Sequence, residues 1–194
     1  MVLLRKSNPQ NYNLKTAVVR GVMKGNEMIR FTMAIEKSIR EKNWYAALAL
    51  ALALPDICAN VCSPNEGSQR RYVKWYNQYM LSKYTSYIGP KQEEHVFLLG
   101  EDCYALRCAL LHQGTHEITE QRAQQVLGSF SFVVPPEGWT VHMNKNNNSL
   151  QLQIDIFCRD ICASVHQWLA DNNFSNGEFN SLLTITDIRG NPVS

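Results

Sequence analysis

Arg107 and His112, five residues apart, are the pair in this 194-residue sequence best suited to chemistry on a phosphate. Arginine presents a fixed, permanently charged fork to phosphate oxygens. Histidine titrates near neutral pH and can take or give a proton there. The pair stands in the run Tyr-Ala-Leu-Arg-Cys-Ala-Leu-Leu-His-Gln-Gly, residues 104–114. Spacing alone carries little weight. With ten Arg, five His and four to six residues allowed between them, roughly one such pair is expected by chance. A second one exists, Arg159 and His166, with Asp160 directly after the arginine.

The elements that must position these side chains are mostly helical. Residues 1–25 are mixed and polar and read as an arm or short strand. One long buried helix is expected from 26 to 54, because 46–54 alternates Ala and Leu, the best helix formers, with no β-branched residue. Pro55 is expected to end it, with Asp56 starting a short turn through Cys62. Residues 63–67 read as a loop, and Ser68 as the cap of a second helix over 69–87. That helix carries Tyr72, Trp75, Tyr76, Tyr79 and Met80 at spacings of three and four, and Gly89–Pro90 ends it. The state of 91–99 stays open. Gly100, Glu101 and Asp102 open a third helix that carries Arg107 and His112, with acids at its positive end and Gly114 as its stop. Strands are expected over 126–134, 140–143 and 150–154, the last two joined by the Asn-rich loop 144–149. A last helix over 154–172 and a tail strand over 182–188 complete the chain. The expected fold is mainly α with a small β appendage. It is one domain over 1–194, with a helical bundle over 26–114 and 154–172 and the appendage over 126–154 between the third and fourth helices.

The segment around Arg107 resembles the signature helix of the HEPN superfamily, small helical-bundle proteins many of which are metal-independent ribonucleases. The match is Arg107, His112 after four intervening residues, and Gly114. Family members usually carry a polar residue after the arginine, where this chain has Cys108. The resemblance implies a four-helix bundle with a short antiparallel sheet or hairpin, acting on RNA without a cofactor. Arg107 would hold the scissile phosphate, and His112 would act as acid or base on the 2′-hydroxyl or the leaving oxygen. At about 100° per residue, Arg107 and His112 stand roughly 140° apart on a continuous helix, so one helix does not aim both at one atom. A homodimer pooling two such helices removes the difficulty, and the resemblance implies such a site. It also implies a role in bacterial defence or toxin–antitoxin systems, with an antitoxin or other partner protein.

The alternative reading is structural. Arg107 then pairs with Glu101, Asp102 or Glu36, and His112 satisfies carbonyls at a helix C-terminus. The chain would be a non-enzymatic helical module that binds a partner protein or a nucleotide. Arg70, Arg71 and Lys74 lie among the aromatic residues of the second helix and could hold single-stranded RNA by charge and stacking, or simply face solvent. Cys58/Cys62 and Cys158/Cys162 are two i, i+4 pairs that could supply zinc thiolates, but lack the tight two-residue spacing, and no metal site is assigned. A hydrophobic fraction of 45 % and a net charge of +2 describe a globular protein and exclude a histone-like polycation. The longest apolar run, residues 44–55, is shorter than the roughly 20 residues a membrane helix needs. Six cysteines in a chain without an export signal read as reduced thiols, and the protein as soluble and cytoplasmic.

Overall fold

The computed structural model describes residues 27–111 and 120–172, together with 174, 179, 182 and 185–189. The arm over 1–25 lies outside them, as does most of the tail. Of the expected tail strand, Thr186 is a single bridge residue.

The chain is mostly helical with two small sheets, the coarse architecture its apolar spacing predicts. The expected long first helix is two. α1 (Glu27–Arg40) buries Met28, Ile35 and Ile39 at helical spacing. The next three residues, Glu41, Lys42 and Asn43, are polar and exposed, so no burial holds them in a helix. Lys42 adopts a φ of 57°, and the chain reverses into α2 (Trp44–Cys62). Pro55 does not end α2 but lies buried within it. Its missing N–H leaves the Ala51 carbonyl without its usual helical donor. One residue on, the Tyr72 hydroxyl donates to the Leu52 carbonyl at 3.2 Å. Packing against α1 and the helices that follow outweighs the proline, and Asp56 therefore stands on α2 rather than in a turn. By length and composition α2 could cross a membrane, but half of it is buried within the fold.

Helix α3 (Ser68–Tyr79) starts one residue earlier than expected, with Gly67 at its N-cap. Ser68 is its first residue and turns its hydroxyl to Asp56 instead of capping the helix, and the helix buries Tyr72, Trp75, Tyr76 and Tyr79. It is shorter than expected. A 3-10 turn over Leu81–Tyr84 leads into β1 (Thr85–Ile88), which pairs antiparallel with β2 (Glu93–Val96). Thr85, Tyr87 and Ile88 suit a pleat better than a helix, and Gly89 at φ +73° turns the hairpin. Helix α4 (Gly100–Leu111) follows as expected. A Cβ on Gly100 would stand 3.0 Å from Asn77 Oδ1, 3.2 Å from Tyr76 Cδ1 and 3.3 Å from Val73 Cγ1. Gly100→Ala is therefore expected to lose about 1–2 kcal/mol in urea unfolding, although alanine favours helices. A variant as stable as the parent would show that α3 and α4 can part at no cost.

The strand expected over 126–134 is half helix. α5 (Glu120–Ser129) buries Val126, and β3 (Phe130–Val133) starts only after it. The Asn-rich segment is not a loop. β4 (Asn144–Asn146) pairs with β5 (Ser149–Gln153) across a two-residue turn, with Asn147 at φ 53°, a conformation asparagine tolerates. No strand forms over 140–143. The second sheet has the order β3-β5-β4, with β3 parallel to β5, so it is mixed rather than antiparallel. β5 runs directly into α6 (Ile154–Asp171), and Phe132 meets Phe157 there at 5.3 Å. α2 is central, in contact with α1, α3, α4 and α6. Beyond α6, Phe174 and Phe179 fold back on Trp168, with ring centroids at 4.7 and 6.2 Å.

Candidate functional site

Arg107 lies on the eighth residue of α4 and turns toward α2. Its Nη2 donates to Asp56 Oδ2 at 3.0 Å. The other oxygen of Asp56 accepts from Arg71 Nε at 2.8 Å, and Ser68 Oγ stands 3.3 Å from both. Arg71 also donates from Nη1 to the Glu66 carbonyl at 3.0 Å. Two guanidiniums from α3 and α4 thus converge on one carboxylate from α2. The three side chains are 17, 11 and 12 % exposed for Arg71, Arg107 and Asp56, so the group is largely withdrawn from water. Its formal charge is +1. Tyr104, one turn before Arg107, lies under the guanidinium at 5.7 Å from ring centroid to carbon, a cation–π distance. Cys108 is buried, and its sulfur accepts from Arg107 Nη1 at 3.7 Å.

None of the expected partners takes Arg107. Asp102 pairs instead with Arg122 of α5, and Glu36 lies 3.8 Å from Arg159. His112, Gln113 and Gly114 lie outside the described residues. Of the three basic residues on α3, only Arg71 joins Arg107. Arg70 is exposed and pairs with Glu66 at 3.0 Å, and Lys74 is exposed. Adjacent residues on a helix point about 100° apart, which is why Arg70 faces solvent while Arg71 faces Asp56.

No family model, curated protein or solved structure matches this chain. The site therefore rests on its geometry.

The second Arg/His pair does not assemble. Arg159 is held by Asp155 at 2.6 Å and approaches Glu36. His166 Nε2 lies 3.1 Å from the Thr32 hydroxyl, which itself donates to the Ile29 carbonyl. The imidazole is thus the donor, and desolvation against α1 lowers its pKa. Asp160 accepts from the Tyr84 hydroxyl at 3.3 Å, and burial raises its pKa.

Among the described residues the cysteines form no metal centre. Among the described residues no group of three or more His, Cys, Asp or Glu could hold a metal ion, so Cys58/Cys62 and Cys158/Cys162 do not form the zinc set their spacing allowed. Burial pushes the Cys103 and Cys158 thiols up to about 12, which keeps both protonated.

Asp56 is the residue the sequence reading missed. A signal for it exists: it is the one charged residue in the whole of α2. A lone carboxylate in an apolar helix must find cations or protonate.

A shallow depression of about 550 Å³ lies beside the triad. Ser68, which contacts Asp56, and Tyr104, which lies under Arg107, both line it, with Gln69, Arg70, Val73 and Glu101.

Proposed function

We propose that this protein acts on RNA as an HEPN-like endoribonuclease that works as a homodimer in the cytoplasm. One observation carries the reading: Arg107, the arginine of the Arg-x4-His segment, is held by Asp56, which it shares with Arg71, beside an open depression. A pre-positioned guanidinium in a partly dehydrated setting is the group that stabilises the extra charge of a phosphorane. Asp56 fixes its orientation, so little reorganisation accompanies phosphate binding. His112 supplies the proton transfer, taking the 2′-hydroxyl proton or protonating the leaving 5′-oxygen. A second copy of α4 would bring in the other histidine that in-line cleavage uses. Bacterial defence, with a partner protein holding the activity in check, is the setting that fits such a nuclease.

The test is cleavage of a mixed-sequence RNA in EDTA by the full chain. Arg107→Ala and His112→Ala are each expected to reduce the rate about a hundredfold. Arg107→Ala leaves Asp56 paired with Arg71, so the fold is retained, and thermal melting verifies it. Cleavage equal in parent and variants would move the site away from Arg107.

A second reading is favoured by the burial of Arg107. A guanidinium with 11 % exposure that is held by a carboxylate also suits a structural tie in a non-enzymatic module that binds a partner protein or nucleotide. Absence of cleavage by the parent, with undisturbed melting, would select it.

A further inference from the structure

Glu101 stands apart from the other carboxylates around the triad. Asp56 holds two arginines, Glu66 holds Arg70, and Asp102 next door holds Arg122. Glu101 is exposed in the first turn of α4 and forms no ion pair among the described residues, although it shares the depression with Arg70. Val73 and Tyr104 give that depression apolar surface, and Ser68 and Gln69 give it polar groups. We infer that the depression between α3 and α4 is a base subsite that selects guanine, with the Glu101 carboxylate accepting from the N1–H and 2-amino groups.

The choice of guanine follows from donor patterns. A carboxylate accepts and cannot donate. Among the four RNA bases only guanine presents two adjacent donors on its pairing edge, matching the two oxygens of one carboxylate. Adenine and cytosine present one amino group beside a ring-nitrogen acceptor, and uracil one N–H between two carbonyls. Each of those would set a lone pair against the carboxylate. Gln69 carries an amide donor of the kind the O6 carbonyl needs. Ser68 and Tyr104 line the depression and also touch the Asp56 triad, so a base held here lies next to the triad, with Arg70 in the same depression. The inference rests on the RNA reading of the site and narrows it to a substrate class.

The test is fluorescence anisotropy with 2′-O-methyl oligoadenylates, which cannot be cleaved through the 2′-oxygen. They carry a single central guanosine, inosine or adenosine. The parent is expected to bind the guanosine probe roughly tenfold more tightly than the adenosine probe. Inosine keeps N1–H but lacks the 2-amino group and should fall between them. Glu101→Gln should bring the guanosine and adenosine affinities within about twofold of each other, since its amide offers one acceptor in place of two. Equal binding of all three probes by the parent overturns guanine selection and leaves the RNA reading standing. A preference that survives Glu101→Gln overturns the role of Glu101. No binding of any probe removes the RNA reading and the inference with it.

Discussion

Asp56→Ala is expected to destabilise the protein by about 3–5 kcal/mol, more than replacing either arginine it holds. The asymmetry is electrostatic. Asp56 is the anion for two guanidiniums, each more than four-fifths withdrawn from water. Without it, both guanidiniums lose the carboxylate they share, at an α2–α3–α4 junction largely withdrawn from water. Arg71→Met or Arg107→Met leaves a one-to-one ion pair and keeps most of the aliphatic bulk, so each should lose about 1–2 kcal/mol. Removing all three charges together should recover much of the loss, because a buried ion cluster is worth less than its broken parts suggest. Urea unfolding at pH 7 of the parent, the three single variants and the triple variant gives the ranking. An Asp56→Ala loss under 1 kcal/mol would show that water reaches the guanidiniums, and would make the triad a surface cluster. The same ranking bears on function. A triad that holds three helices together must keep its geometry while Arg107 meets a phosphate, so the phosphate must add to the Asp56 contact rather than replace it.

How much of this was legible in the sequence differs from element to element. The face Tyr72, Trp75, Tyr76, Tyr79 was read from its spacing, and all four are buried. The start of α4 at Gly100 follows from local chemistry that acts within one turn, and that of α3 does so to within one residue, since Gly67 rather than Ser68 is the cap. Pro55 was misread because local propensity opposes a helix there while packing on four neighbouring helices, invisible in a local window, outweighs it. The β1–β2 hairpin is not visible locally because Thr85–Ile88 continues the aromatic spacing of α3 in sequence, and only the pairing partners five to eleven residues later distinguish the two. The parallel pairing of β3 with β5 is similarly non-local. At the site, the sequence marks Arg107 by its spacing to His112 and Arg71 by its aromatic neighbours, two unconnected signals. What joins them is Asp56, which a local reading assigned to a turn, and the charge census of α2 is the observation that would have corrected it.

Stability is expected to fall by roughly 2–3 kcal/mol between pH 6.5 and pH 4 through His142, and His142→Asn should remove that loss. His142 precedes β4 and packs edge-on against Tyr84 at 5.6 Å. Its Nδ1 accepts from the Gln153 backbone N–H at 3.2 Å, just where β5 becomes α6. Burial lowers its pKa from 6.5 to about 4, against the opposing pull of Asp155. Above pH 6.5 the imidazole is neutral in both folded and unfolded chains, and its full contribution is present. As pH falls through 6.5 the unfolded chain takes up a proton that the folded chain refuses, and stability drops. Below about 4 the folded ring is protonated too and the loss levels off. Protonation puts a hydrogen on Nδ1 and breaks the bond from Gln153, so the acid transition should begin at the junction of β5 and α6. The Asn side-chain oxygen takes the place of Nδ1 and keeps the acceptor without a titrating group. His166, with a lowered pKa, and Asp160, with a raised one, act in opposite directions as pH falls. Both are common to parent and variant, so the difference between the two unfolding curves isolates His142. Chemical denaturation at pH 7, 6, 5 and 4 should give curves that diverge below pH 6.5, with the variant the more stable at pH 4. Parallel curves would mean that His142 exchanges its proton with solvent freely, and that the Gln153 bond does not hold the ring.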